Sequence, residues 1–135
     1  MGPKVFPEDT AHVERIGQHG TVGPLTLVRP SLNGGLFIGD QNGVQWLGEK
    51  NRQVKMVFKD AQASTTALAI DPAGSSIVVG SKDKKVRVWN TKSGKCVWRF
   101  DVNSNITDVA VSISGGIGIA KSNGDADLWL MGREL

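Results

Sequence analysis

The sequence predicts an all-β protein assembled from short antiparallel hairpins, and three observations support that expectation. Apolar and polar residues alternate from about residue 22 onward, glycine supplies 17 of 135 residues, and a segment of about 40 residues recurs three times. Strict alternation marks a strand with one buried face. Glycine at roughly twice ordinary usage suits tight turns that need positive φ. No window sustains a 3.6-residue apolar repeat, so helices are not expected.

The expected strands are LTLV (25–28), LFIG (36–39), VQWL (44–47), VKMVF (54–58), TALAI (66–70), SIVVG (76–80), VRVW (86–89), CVWRF (96–100), TDVAV (107–111), GIGIA (116–120) and ADLWL (126–130). Each is β-rich and bounded by turn residues. Asn33-Gly34, Asn42-Gly43 and Asn123-Gly124 offer paired positions that accept φ > 0, as a type I′ hairpin requires. Asp71-Pro72-Ala73-Gly74 and Thr91-Lys92-Ser93-Gly94 are Pro-initiated and Gly-terminated turns.

Length allows one domain, large enough to bury a core without staples. A single cysteine, Cys96, excludes an intramolecular disulfide framework or a multi-thiolate metal site and fits a reducing compartment. No apolar run nears the roughly 18 residues of a membrane span, and MGPKVFPEDT does not read as a leader. The expected location is therefore intracellular, cytoplasmic or nuclear. The net charge of +3 conceals a basic stretch from Lys82 to Arg99 that alone sums to +6, so the basic character is local.

Three segments superpose: GPLTLVRPSLNGGLFIGDQNGVQWL, TTALAIDPAGSSIVVGSKDKKVRVW and ITDVAVSISGGIGIAKSNGDADLWL. Their matching positions Leu47, Trp89 and Trp129 are 42 and 40 residues apart, the period of a four-stranded propeller blade. The middle unit, with its Asp-Pro-x-Gly turn, V-G-S strand end, turn Asp83 and alternating strand closing on Trp89-Asn90, resembles the WD-repeat family of β-propellers. The third unit keeps Trp129 with Asn123 in the Asp83 position; the first keeps Asn42 and places Leu47 in the Trp position, with Trp46 one step early. Gln18-His19 is a loose version of the family's Gly-His pair. The resemblance makes Asp83, Trp89, Asn123, Trp129, Asn42 and His19 the blade-locking residues, without any unit holding the family's full His, Ser/Thr, Asp, Trp set.

Related blades are written in sequence as an outer strand followed by three strands of the next blade. In that phase Thr10–Ile16 matches Cys96–Phe100 as an outer strand, with Val13, Arg15 and Ile16 as assembly residues. The expected organisation is a tail over 1–9, three blades over 10–130 (units of about 19–58, 60–100 and 103–130, with strand 10–16 exchanged), and a tail over 131–135. Closed propellers use about 4 to 8 blades, so three form a partial propeller that another chain must complete. Each open flank, roughly 300 Å², would forgo on the order of 7 kcal/mol of gross burial. A homodimer of 2 × 3 blades is the simplest closed solution; a heteromeric partner or a longer chain are the alternatives.

Catalytic constellations are scarce. His12 and His19 are the two histidines, no phosphate-loop motif occurs, and no Cys/His metal spacing exists. Asp125 and Asp127 fall on one face of a strand and read as solvated turn and edge residues. No enzyme activity, cofactor or metal is expected. Lys82, Lys84, Lys85 and Arg87 form a basic turn with two readings: a solvated guard of an outer edge, or a docking site for an acidic peptide, nucleic acid or anionic head group. Trp98 is expected to pack between blades, with an exposed anchor as the alternative. The function implied by the resemblance is a noncatalytic scaffold that presents rim loops to protein partners, with nucleic-acid or anionic-surface binding as the alternative.

Overall fold

The computed structural model describes residues 26–32, 34–48, 54–59 and 64–131. Among them the chain forms strands and turns and no helix. Strands β1 (Leu27–Pro30), β2 (Leu36–Asp40), β3 (Gly43–Leu47) and β4 (Val54–Phe58) make one antiparallel sheet in that order. Strands β5 (Thr65–Ile70), β6 (Ser76–Ser81), β7 (Lys85–Asn90) and β8 (Cys96–Asp101) make a second. Strands β9 (Ile106–Val111), β10 (Gly116–Lys121) and β11 (Ala126–Leu130) make a third, which has three strands among the described residues. Each sheet is a meander, so each hairpin pairs neighbours in sequence. The first strand starts two residues later than alternation suggested, because Val28 pairs with Ile38 and Pro30 closes the ladder opposite Leu36.

Cross-strand register resolves the short first repeat. Gly39 pairs with Val44, whereas Gly80 pairs with Val86 and Ala120 with Ala126. The first sheet therefore turns with one residue fewer. The extra residue in the other turns is the kind that adopts the left-handed conformation, Lys84 (φ 66) and Gly124 (φ 92). Leu36↔Leu47, Ile77↔Trp89 and Ile117↔Trp129 are then equivalent pairs, so Leu47 does stand in the Trp position. Trp46 faces the second sheet, its ring 5.7 Å from that of Phe37 and its Nε1 donating to the Gly34 carbonyl at 3.1 Å.

The three sheets stack face to face with two apolar layers between them. Phe37, Val44 and Phe58 meet Leu68, Ile77, Val79 and Trp89 in one layer. Ala67, Val78, Val86 and Val88 meet Val102, Ile106, Val109, Ile117 and Ile119 in the other. The middle sheet is thus covered on both faces, which is why Ile77, Val78 and Val79 are all buried in succession and alternation fades there. Close approach between sheets falls at one repeated point: a Cβ on Gly39 would lie 2.9 Å from Thr65 Cβ, and one on Gly80 would lie 2.7 Å from Ile106 Cγ2. The equivalent residue of the third sheet is Ala120.

Backbone bonds join the turns into two rims. Lys82 N–H donates to the Ser64 carbonyl, Val102 N–H to Lys84 and Ser122 N–H to Asn105, each at 2.9 Å. At the opposite end Thr91 N–H donates to Ser75 at 3.0 Å and Met131 N–H to Gly115 at 2.9 Å, while Thr91 Oγ1 donates to the Gly74 carbonyl at 2.7 Å. Overpacking the sheet-to-sheet contact should be costly. Gly80→Ala is expected to lower unfolding stability by about 1–3 kcal/mol, measured by denaturant titration, with Gly118→Ala as the control because a Cβ there meets nothing within 4 Å.

Candidate interaction surfaces

The turn between β6 and β7 carries the basic cluster. Lys82 and Lys84 are exposed and Lys85 is half-buried. Arg87 does not stand with them. It lies in a strand position buried between the first two sheets, 5% exposed, and its guanidinium forks the Asp83 carboxylate with Nη2 at 2.6 Å and Nη1 at 3.3 Å. Its alternation with Val86 and Val88 turns it toward the first sheet, away from the rim. The surface cations of this turn are therefore the three lysines.

Asp83 also accepts from the Lys85 N–H at 3.2 Å. Partial burial pushes its carboxyl up, but the hydrogen bond and charge of Arg87, the Lys85 N–H and the Lys85 charge outweigh that and hold it below the ordinary carboxylate range. Among the described residues, Asp83 thus ties its own turn to strand β7 through the ion pair with Arg87. The equivalent residues act more locally: Asn123 Oδ1 accepts from Asp125 N–H at 2.9 Å, and Asn42 N–H donates to Asp40 Oδ1 at 2.7 Å. In the third sheet the corresponding ion pair is Lys121 Nζ to Asp127 Oδ1 at 3.0 Å. His12 and His19, with the assembly residues Val13, Arg15 and Ile16, lie outside the described residues.

Trp89 and Trp129 hold equivalent places with different outcomes. Trp89 is 5% exposed and meets Phe58 edge-on at 5.7 Å. Trp129 stacks on Phe100 at 4.2 Å yet stays 42% exposed. The aromatic partner in each case comes from the outer strand of the preceding sheet, a relation that the sequence repeat did not announce because Phe58 and Phe100 are distant from their tryptophans in the chain. Trp98 is not packed as expected; it is 49% exposed. It pairs with Val88 and so faces the third sheet, where among the described residues no fourth strand lies to cover it. Its equivalent Met56 is covered, because the turn at Gly94 reaches it. Cys96 packs at the edge of an apolar layer and its thiol donates to the Trp98 carbonyl at 3.2 Å.

Both outward flanks of the stack are apolar. On the third sheet Leu128 and Leu130 are 88% and 75% exposed, and Leu128 lines a shallow groove with Ala110, Gly118 and Trp129. On the first sheet Val28, Leu36 and Val57 are exposed on the outward face. Gln45, between them in register, has a buried Oε1 without a hydrogen-bond partner. Among the described residues no group of His, Cys, Asp and Glu side chains is placed to hold a metal ion, and no helix is long and apolar enough to cross a membrane.

Comparison with known proteins agrees with this geometry. Residues 52–90 match the family model of the WD domain, G-beta repeat. The β-propeller domain of Cps50 (Swd1) from Myceliophteria thermophila superposes with a TM-score of 0.75 at 18% identity, over 84% of this chain and 37% of that one. The WD40 β-propeller domain of Doa1 gives 0.72 at 18% identity, over 83% and 38%. Among curated proteins, the U3 small nucleolar RNA-associated protein 15 homolog of Mus musculus is 32% identical over 97 residues, 70% of this chain and 18% of that protein. The ribosome biogenesis protein BOP1 homolog of Monosiga brevicollis is 34% identical over 64 residues, 47% of this chain and 8% of that protein. The chain therefore spans a small fraction of these relatives' length.

The Asp83–Arg87 pair should make stability depend on pH. With its folded pKa depressed, Asp83 contributes fully above the unfolded carboxylate value of about 4 and loses that contribution as pH falls through the folded value. Asp83→Asn is expected to cost about 1–3 kcal/mol at neutral pH, a gap that closes as thermal unfolding is followed below about pH 4.

Proposed function

Since the chain carries a WD repeat at residues 52–90 within blades of a WD40 β-propeller fold, we propose that it is a noncatalytic interaction scaffold whose arc of three blades is completed by a second copy. The observation that supports this most directly is the exposure of Leu128, whose equivalent in the middle blade, Val88, is buried. A flank of this kind is stable in water only when something covers it. Stacking the third blade of one copy on the first blade of the other, twice, joins four flanks of roughly 300 Å² each, near the lower end of the 1,200–2,000 Å² or so of a stable interface. The rim loops of the closed ring are then the partner-binding surface, and Lys82, Lys84 and Lys85 mark one rim.

A second reading concerns that lysine turn. Relatives with U3 small nucleolar RNA and ribosome biogenesis in their names favour RNA as the anionic partner and a nuclear location. Three phosphate contacts would make the observed affinity fall about 20- to 40-fold between 50 and 200 mM salt. A salt titration by fluorescence anisotropy with single-stranded RNA checks this: Lys82→Ala with Lys84→Ala should reduce the fall to about three- to fourfold, and flat binding of the unmodified chain across that range rejects the reading.

Light scattering tests the assembly. Twice the 14.4 kDa chain mass is expected at micromolar concentration, and Leu128→Glu should give a folded monomer with unchanged far-UV circular dichroism. A stable, monodisperse monomer of the unmodified chain would reject the proposal.

A further inference from the structure

Trp98 and Trp129 line one cleft, between the outer strand of the second sheet and the last described strand of the third. Phe100 lines it too, stacked on Trp129 at 4.2 Å with 30° between the ring planes, and Leu130 and Met131 complete the apolar wall. Its volume of about 320 Å³ is at the lower end for pockets that hold small ligands. A second cleft of about 510 Å³ adjoins it at Trp98 and Met131 and runs past Pro72 and Ile113. At the preceding junction the same place is filled. Met56 stands where Trp98 does, the turn at Gly94 lies against it, and Trp89 is buried. Among the described residues, one junction therefore leaves two large π-faces half-exposed.

The charges around this cleft favour an anion. Arg99 lies between Trp98 and Phe100 in the edge strand, lines the cleft and is exposed. Lys92 and Lys95 are exposed in the turn that leads into that strand. At the strand's far end Lys85 pairs with Asp101, which brings the turn of Lys82 and Lys84 to the same edge, roughly 10 Å from Trp98 along three residues of strand. The nearby carboxylates are already engaged: Asp101 accepts from Asn103 N–H, Asp71 from Ala73 N–H and Ser75 Oγ, and Asp127 pairs with Lys121.

We propose that this cleft is a stacking platform for the bases of single-stranded RNA, with Trp98 as the principal face and the backbone entering along β8 from the turn of Lys82 and Lys84. This rests on the RNA reading of the lysine turn for the class of ligand and adds where the bases sit. Aromatic walls beside a cationic edge match a ligand that carries flat apolar faces on an anionic chain. An acidic peptide would meet the cations and leave the tryptophans in water. Because every base has a π-face, the platform is expected to discriminate little among sequences. The cleft opens between two edge strands and not on an outward flank, so stacking of flanks in a completed ring leaves it accessible.

Tryptophan fluorescence tests the platform with an oligouridylate of about ten nucleotides, within the usual site size of such surfaces. Titration should quench the unmodified chain, whereas an abasic strand of the same length and charge should bind more weakly and leave the emission unchanged. Trp98→Ala should weaken RNA binding about 5- to 100-fold with an unchanged salt dependence, because it removes no phosphate contact. Trp98→Phe keeps a ring and should recover part of that loss. Lys82→Ala with Lys84→Ala should do the reverse, lowering the salt dependence while quenching persists. Salt-dependent binding without quenching, or equal affinity for the abasic strand, overturns the platform and leaves the lysine-turn reading standing. Equal quenching by polyglutamate overturns it in favour of an acidic protein. Binding of neither strand by the unmodified chain removes both readings.

Discussion

A β-sheet blade has two faces, and the stack depends on covering both. The middle blade shows what full coverage looks like: Ile77, Val79 and Trp89 serve one neighbour while Val78, Val86 and Val88 serve the other. Its residues alternate between two apolar layers, so neither face is polar. Because the outer blades are built to the same plan, they too carry an apolar second face. The burial that stabilises the centre therefore leaves apolar surface at the ends, where Leu128 and Leu130 on one side and Val28, Leu36 and Val57 on the other meet water.

Between blades, the fit is set by a few repeated contacts. Glycines 39 and 80 let the first strand of the next blade approach to van der Waals distance, and a phenylalanine from each outer strand rests on the next tryptophan. These contacts tie each blade to its successor in one direction around the arc. Hydrogen bonds such as Lys82 to Ser64 and Thr91 to Ser75 then tie neighbouring turns at the rims. The rims are consequently held by backbone hydrogen bonds in addition to the apolar layers between the sheets.

The electrostatics are local in the same way. Arg87 would be a costly buried charge were Asp83 not held beside it by the turn. Its pairing removes it from the surface and leaves Lys82 and Lys84 exposed, with Lys85 half-buried, as the cations of that turn. In the first blade Gln45 occupies the Arg87 position without a partner for its oxygen, and in the third Asp127 does so with Lys121. Three blades of one plan thus differ most at the point where strand and turn charges meet.

The sequence alone determined the strands, their turns and the repeat, because period-two alternation and glycine placement are local properties that each short segment expresses by itself. It also placed Leu47 in the repeat position of Trp89 and Trp129, since the 40-residue period survives a one-residue deletion in a turn. What it left undecided was which face each residue serves. Arg87 read as a surface cation because its neighbours in the chain are lysines, and only the pairing of β7 between two other strands turned it inward to Asp83. Trp98 read as interior, and only the sheet order left its face without a covering strand among the described residues. Exposure is a property of what packs alongside in space, and residues far apart in the chain supply that neighbour.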